Sequence, residues 1–144
     1  ELISKIEKSY SVRNKGGNIY SPILKDEISM YLEGEWYSLI SHSKKYNLTF
    51  ESLDPSILSE NILSPILGIT DEKTDKNITF LDGTIPLLEI KSKVDSGEYK
   101  VAFILKPIDI DSLKKVADNN EIMPPKSTYV EPKLRSGITI YKLY

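Results

Sequence analysis

The stretch SMYLEGEWYSLI, residues 29 to 40, decides the fold predicted for this chain. Two runs rich in aromatic and aliphatic residues, 29–32 and 35–40, flank the pair Glu33-Gly34. Two β-prone runs around a short glycine-containing turn are typical of a β-hairpin. The sequence therefore predicts a hairpin here, and we expect its strands to join a larger sheet.

Helices are predicted on both sides of this hairpin. Apolar residues recur at helical spacing in 2–10 and 54–67, and two further helices are expected over 84–96 and 109–117. The expected ends are Gly68 and Gly97, because glycine often terminates a helix. The side chains expected to cap these helices are those of Asp54, Thr84 and Asp109.

Three more strands complete the predicted architecture. We expect a short strand at 78–81, a last alternating strand at 137–141, and a central strand at 99–105. The stretch 99–105 is an unbroken apolar run, which is typical of a strand buried on both faces. The order of elements predicts one compact domain over 1–144, of the α/β or α+β class, with a mixed β-sheet and helices packed on it.

Composition restricts the class of protein. The 144 residues are 40% hydrophobic and include no cysteine, which excludes disulfides, thiolate metal sites and cysteine nucleophiles. No apolar run reaches the ~20 residues that a membrane span needs. We therefore expect a cytoplasmic protein with no membrane partner. Because the chain opens at Glu1 on a helical pattern, we also expect it to be a fragment that lacks upstream segments of a longer protein.

Charge is distributed unevenly along the chain. Residues 123–144 hold four cations against Glu131 alone, a local charge of +3, so 1–122 carry −5 of the total of −2. An acidic remainder disfavours binding of nucleic acid over a broad surface. One local cationic site is compatible with this distribution.

The stretch MPPKSTYVEPKLRSG, residues 123 to 137, supplies such a site. Its three prolines restrict the backbone, so the loop loses less entropy on ordering than a flexible loop would. Ammonium, guanidinium and hydroxyl groups are good ligands for phosphate or carboxylate. The predicted anion-binding residues in this stretch are Lys126, Ser127, Thr128, Lys133 and Arg135. The alternative, given equal weight, is that the prolines end the preceding helix and the cations are solvated.

A cleft facing this loop is predicted from the strand pattern. If the strands at 78–81 and 100–106 run parallel, their carboxyl ends bring Asp82 and Asp109 to one edge of the sheet, with Lys106 facing the same anion. Asp82 and Asp109 could then hold magnesium or act as a base, although capping a helix is the more common role for such residues. His42 is expected to be a surface residue, and no His and Cys metal cluster is predicted.

Three segments resemble a known family. LDPSILSENILSPILGI at 53–69, VDSGEYKVAFILKP at 94–107 and VADNNEIMPPKSTYVEPKLRSGI at 116–138 are similar to the C-terminal part of the bacterial and archaeal domain of unknown function 1015 family. The EGEWYSL hairpin at 33–39 resembles it as well. Ser59 departs from the family pattern, which often has a histidine there. The resemblance implies a longer parent protein and adds weight to the 123–135 loop, but it implies no activity.

Two functions from different classes follow. The first is part of an enzyme that acts on a phosphorylated small molecule or a nucleotide with magnesium, in which the cations clamp phosphate oxygens. The second is a non-catalytic scaffold that docks against an N-terminal region or a second copy as a homodimer. A nucleic-acid binder ranks third. The sequence leaves the reaction, the substrate and the oligomeric state open.

Overall fold

The computed structural model describes residues 1–24, 26–42 and 53–122. In this part of the chain helices and strands follow one another in a single domain. The elements are α1 (Leu2–Ile6), β1 (Tyr10–Gly16), β2 (Glu27–Leu32), β3 (Glu35–Ser41), α2 (Asp54–Leu58), a π-helical segment (Ser59–Leu63), α3 (Leu87–Asp95), β4 (Val101–Ile104) and α4 (Ile110–Asp118).

The strands form one sheet in the order β1-β3-β2-β4. Each of the three pairings is antiparallel. The prediction of one domain with helices packed on a sheet is confirmed, and the antiparallel pairing selects α+β from the two predicted classes. The described part of the sheet is antiparallel, where a mixed sheet was expected.

The predicted hairpin is confirmed. β2 and β3 pair from Leu32↔Glu35 at the turn to Glu27↔Ile40 at the far end. Glu33 and Gly34 have φ of 50° and 86°. Two consecutive positive φ values match the right-handed twist of the strands, and Gly34 reaches its value without steric cost.

The hydrophobic core lies on one face of this sheet. Ile28, Met30 and Leu32 of β2 share that face with Leu39 of β3, as the register shows. The buried cluster also includes residues of α1, of β1 and of the segment 57–69. Its members are Ile6, Tyr10, Ile28, Met30, Leu32, Leu39, Ile57, Leu58, Ile62, Leu63 and Ile69. Helices therefore cover this face of the sheet.

The first helix is shorter than predicted. α1 ends at Ile6, and the chain then enters β1 at Tyr10, where the sequence predicted the last helical residue. Tyr10 is buried, but its side chain belongs to a strand that pairs with β3. This pairing partner lies about thirty residues away, so the helical spacing of the local apolar residues could not reveal it.

Of the three strands predicted outside the hairpin, the one at 78–81 is absent, the one at 99–105 forms as β4 but not in the central position, and the one at 137–141 lies outside the described residues. Residues 78–81 form no strand, so the parallel pair that was expected to bring Asp82 and Asp109 together is absent from the described chain. β4 lies at one end of the described sheet, and its four residues are half-buried. The strand with all of its residues buried is β2, although its sequence includes polar side chains.

The segment 54–63 is helical, as predicted, but its winding changes, and the predicted last turn at 64–67 is a non-helical turn. α2 passes at Ser59 into the π-helical segment, and Gly68 follows with φ of 75°. The carbonyl of Ile57 accepts hydrogen bonds from the Tyr10 hydroxyl at 3.2 Å and from the Asn61 side chain at 3.0 Å. These bonds give the Ile57 carbonyl two partners close to the point where the α-helix passes into the π-helical segment. The predicted cap is wrong, because the cap position is Leu53 and Asp54 lies in the first turn.

The last two helices agree with the sequence in different degrees. α3 begins after Pro86, so Thr84 is not its cap, whereas Gly97 follows its end with φ of 82° as expected. Asp109 caps α4 and accepts a bond of 2.7 Å from the Ser112 amide, which confirms that prediction. Within the described ranges, no helix is both long and apolar enough to cross a membrane.

Candidate functional site

The second face of the sheet carries buried polar side chains. Glu27, Ser29 and Tyr31 alternate along β2 and face away from the core, and Trp36 and Ser38 of β3 lie beside them. Each of these five residues is at most 2% exposed. We call this set the polar face. Burying polar groups destabilises a fold unless they are hydrogen-bonded, so their partners show what the face is built to hold.

Glu27 is the centre of the polar face. One carboxylate oxygen, Oε1, accepts from the Tyr20 hydroxyl at 2.6 Å and also from the Ser38 hydroxyl. The other, Oε2, accepts from the backbone amides of Ile23 at 2.7 Å and Leu24 at 2.8 Å. A carboxylate that accepts several such bonds is stabilised in its charged form. Glu27 therefore fixes the backbone of the preceding loop.

The pKa of Glu27 reflects these bonds. Burial alone would raise it, but the bonds from Ser38, Tyr20, Leu24 and Ile23 outweigh burial and lower the pKa from 4.5 to about 2. The charged form is therefore the one that the fold stabilises.

This depressed pKa predicts a loss of stability in acid. Because the folded value lies below the unfolded one, the contribution of Glu27 is complete above pH 4.5 and is lost as the pH falls towards 2. Urea unfolding measured at several pH values across this window should show the decline. Glu27→Gln, which cannot ionise, should show a smaller decline, and an equal slope in both proteins would contradict the assignment.

Further contacts hold the same loop, residues 19–24, which we call the anchored loop. The Ser29 hydroxyl donates to the Tyr20 carbonyl at 2.8 Å. The Lys106 ammonium donates to the Ile23 carbonyl at 3.1 Å. The Lys15 ammonium lies 4.5 Å from the centre of the Tyr20 ring, a favourable cation–π distance. The loop is thus bonded to β2 and to Lys106, two residues after the end of β4, and it also contacts Lys15 of β1.

The anchored loop presents apolar side chains to solvent. Ile23 is 69% exposed and Leu24 is 56% exposed, and Ile19 near the start of the loop is 48% exposed. Scattered exposed aliphatic residues are ordinary on protein surfaces. Two adjacent ones are distinctive here because the amides of these same residues donate to a buried carboxylate. Their backbone is fixed while their side chains remain uncovered.

A second cluster joins the polar face to α3. The Tyr31 hydroxyl donates to Asp95 Oδ1 at 2.6 Å, and Asp95 Oδ2 accepts from Lys91 at 2.5 Å. Burial, followed by the bond to Asp95, raises the pKa of Tyr31, so its hydroxyl stays protonated and serves as a donor.

The Tyr31 and Trp36 rings are 4.8 Å apart. The indole Nε1 of Trp36 is buried with no acceptor among the described residues.

The predicted anion site is only partly within the described chain. Lys126, Ser127, Thr128, Lys133 and Arg135 lie outside the described residues, so anion binding there stays a prediction. Lys106 is described, and it contacts the anchored loop rather than a helix start.

The two predicted aspartates occupy local turns. Asp82 Oδ1 accepts from the Thr84 amide at 2.9 Å, and Asp109 caps α4. The capping role that the sequence allowed is confirmed for Asp109 only, since Asp82 lies in a turn before Pro86, the N-cap of α3. A magnesium or base role stays a prediction for both. No group of three or more potential metal-ligating side chains occurs in the ranges that the structure describes.

Sequence reasoning missed Glu27 and the anchored loop. Tyr20, Pro22 and Glu27 lie between the predicted helix at 2–10 and the predicted strand at 29–32, and Lys106 was assigned to an anion. A usable signal was present: Glu27 lies two residues before the predicted strand at 29–32, and the run SPIL at 21–24 places two aliphatic residues after a proline. Proline restricts the backbone and its predecessor, which favours a defined loop.

The fold and the polar face define an α+β domain whose sheet has a hydrophobic face and a buried polar face that anchors a loop. Comparisons of the chain with protein-family models, with curated proteins and with solved structures found no match. The resemblance to the domain of unknown function 1015 family therefore stays a prediction.

Proposed function

We propose that this chain is a docking domain that binds a protein partner through the anchored loop. The observation that carries the proposal is the combination found at Ile23 and Leu24: amides bonded to the buried carboxylate of Glu27, and side chains mostly in solvent. This favours the scaffold prediction over the phosphate-binding enzyme. The enzyme prediction depends mainly on residues outside the described chain.

A preformed loop suits docking because little entropy is lost when a partner binds. Ordering flexible side chains and loops on binding costs free energy, and rigidity reduces that cost. Glu27, Ser29 and Lys106 order the loop before any partner arrives. Covering a large aliphatic side chain contributes about 1.5–3 kcal/mol. Ile23 and Leu24 together could therefore supply a substantial part of the binding free energy.

The proposal predicts that Ile23→Ser combined with Leu24→Ser weakens partner binding about 100-fold without unfolding the domain. Both amides remain, so the bonds to Glu27 can persist and the Tm should change little. Leu88→Ser is the matched control, because Leu88 is an aliphatic residue that is 64% exposed on α3 and is not part of the anchored loop.

The partner can be found by site-specific cross-linking. The chain has no cysteine, so Leu24→Cys and Leu88→Cys each create one position for a benzophenone reagent. After irradiation of the labelled chain, alone and in an extract of the cells that produce it, we expect a discrete adduct from position 24. It should disappear with Ile23→Ser. An adduct of the purified chain with itself would identify a second copy as the partner. The same adducts from both positions, or none from position 24, would contradict the proposal.

A further inference from the structure

The charges that touch the anchored loop restrict the chemistry of its partner, an inference that rests on the proposed function. Two exposed cations contact the loop directly. The Lys106 ammonium lies 3.1 Å from the Ile23 carbonyl oxygen, and the Lys15 ammonium lies 4.5 Å from the centre of the Tyr20 ring. Positive charge is thus fixed beside the exposed aliphatic residues.

The acidic groups near the loop are placed differently. Asp26 is exposed just beyond the loop, at a residue with φ of 62°. Glu27 is 1% exposed, and its two oxygens accept four hydrogen bonds from the protein. A partner atom that covers Ile23 can therefore reach the Lys106 ammonium but not the Glu27 carboxylate. The solvent-exposed charged group that contacts Ile23 directly is therefore the Lys106 ammonium.

We infer that the anchored loop binds a protein segment that places aspartate or glutamate next to aliphatic side chains. The aliphatic groups would cover Ile23 and Leu24, and the carboxylates would pair with Lys106 and Lys15. Charges at the rim of an interface speed encounter and select among partners more than they add affinity. The apolar contact therefore supplies most of the binding, and the two lysines select acidic segments.

Panning of a phage-displayed library of random peptides on the full chain tests this inference. Wild type is compared with Ile23→Ser/Leu24→Ser and with Lys15→Glu/Lys106→Glu. Because Lys106→Glu also removes the bond to the Ile23 carbonyl, Lys106→Gln serves as a second variant: it can still donate there but carries no charge. Vesicles of phosphatidylserine are tested in parallel, since lysines beside aliphatic residues can also bind an anionic membrane.

We expect wild type to enrich peptides that combine aliphatic with acidic residues. Charge reversal should weaken the selected peptides about tenfold, consistent with two surface ion pairs lost and replaced by repulsion. Lys106→Gln should weaken them less. Enrichment of aliphatic peptides without acidic bias would overturn the inference and leave the docking function intact. No enrichment dependent on Ile23 and Leu24, or vesicle binding in its place, would overturn both.

Discussion

Glu27→Ala is expected to lower the free energy of unfolding by about 3–5 kcal/mol, because each buried donor left without a partner costs about 1–3 kcal/mol and part of that cost is relieved by relaxation. Four donors lose their acceptor in this variant. The hydroxyls of Tyr20 and Ser38 can rotate about their C–O bonds to reorient the donor. The amides of Ile23 and Leu24 cannot, so the anchored loop should lose its order. Chemical denaturation measures the change.

Glu27→Gln is the matched control for this experiment. Its amide oxygen can still accept from the Ile23 and Leu24 amides, and its NH2 group can face the two hydroxyls if these turn to accept. We therefore expect Gln to cost clearly less than Ala. Faster amide hydrogen exchange at Ile23 and Leu24 in Glu27→Ala would show that the loop is released. Equal stability of Glu27→Ala and wild type would contradict the central role of the carboxylate.

Trp36→Ala should have a comparable effect, about 3–5 kcal/mol, because it removes a large buried side chain and leaves a cavity. Trp36 is 0% exposed and lies 4.8 Å from the Tyr31 ring, so its loss removes packing between β3 and β2. The pairing Tyr31↔Trp36 is also the last one before the turn-adjacent pair Leu32↔Glu35. Thermal and urea unfolding should agree on the loss.

Trp36→Phe separates packing from hydrogen bonding. Phenylalanine keeps most of the ring contact with Tyr31 and removes the indole Nε1, which is buried with no acceptor among the described residues. Removing a buried donor that makes no bond stabilises the fold, and this offsets part of the stability lost with the smaller ring. We expect Phe to recover most of the stability that Ala loses. If Phe were as destabilising as Ala, the indole N–H would have to make a stabilising bond.

Local signals in the sequence predicted the elements that depend on neighbouring residues. The hairpin was predicted from two β-prone runs around Glu33-Gly34, and the turn geometry needs only those residues. The start of α4 was predicted from Asp109, whose side chain bonds an amide three positions away. In both cases the interaction that decides the structure lies within a few residues of chain.

Predictions that required distant partners failed. β1 was not predicted, and its first residue, Tyr10, was assigned to a helix, because the pairing of β1 with β3 is invisible in local periodicity. β4 was predicted to be the strand buried on both faces because its sequence is apolar, yet β2 holds that position with Glu27 and Ser29 buried in it. Apolarity is an incomplete guide to burial when polar side chains obtain hydrogen bonds inside the protein.

The candidate site likewise has features that the local sequence shows and features that only the fold shows. The sequence proposed Lys106 as a ligand for an anion, and the structure places its ammonium on the carbonyl of Ile23. Nothing within a few residues of Lys106 predicts that contact, which spans most of the described chain. The exposed pair Ile23 and Leu24 is visible in the sequence, but its fixed backbone is not.

By itself the sequence determined the hairpin, the cap of α4 and the absence of any cysteine chemistry, since these depend on residue identity and short-range geometry. Tertiary structure alone decided that β2 is the strand buried on both faces and that Glu27 keeps its charge there. The physical reason is that a carboxylate can be buried only where folding brings donors to it, and the donors of Glu27 come from a loop and a neighbouring strand.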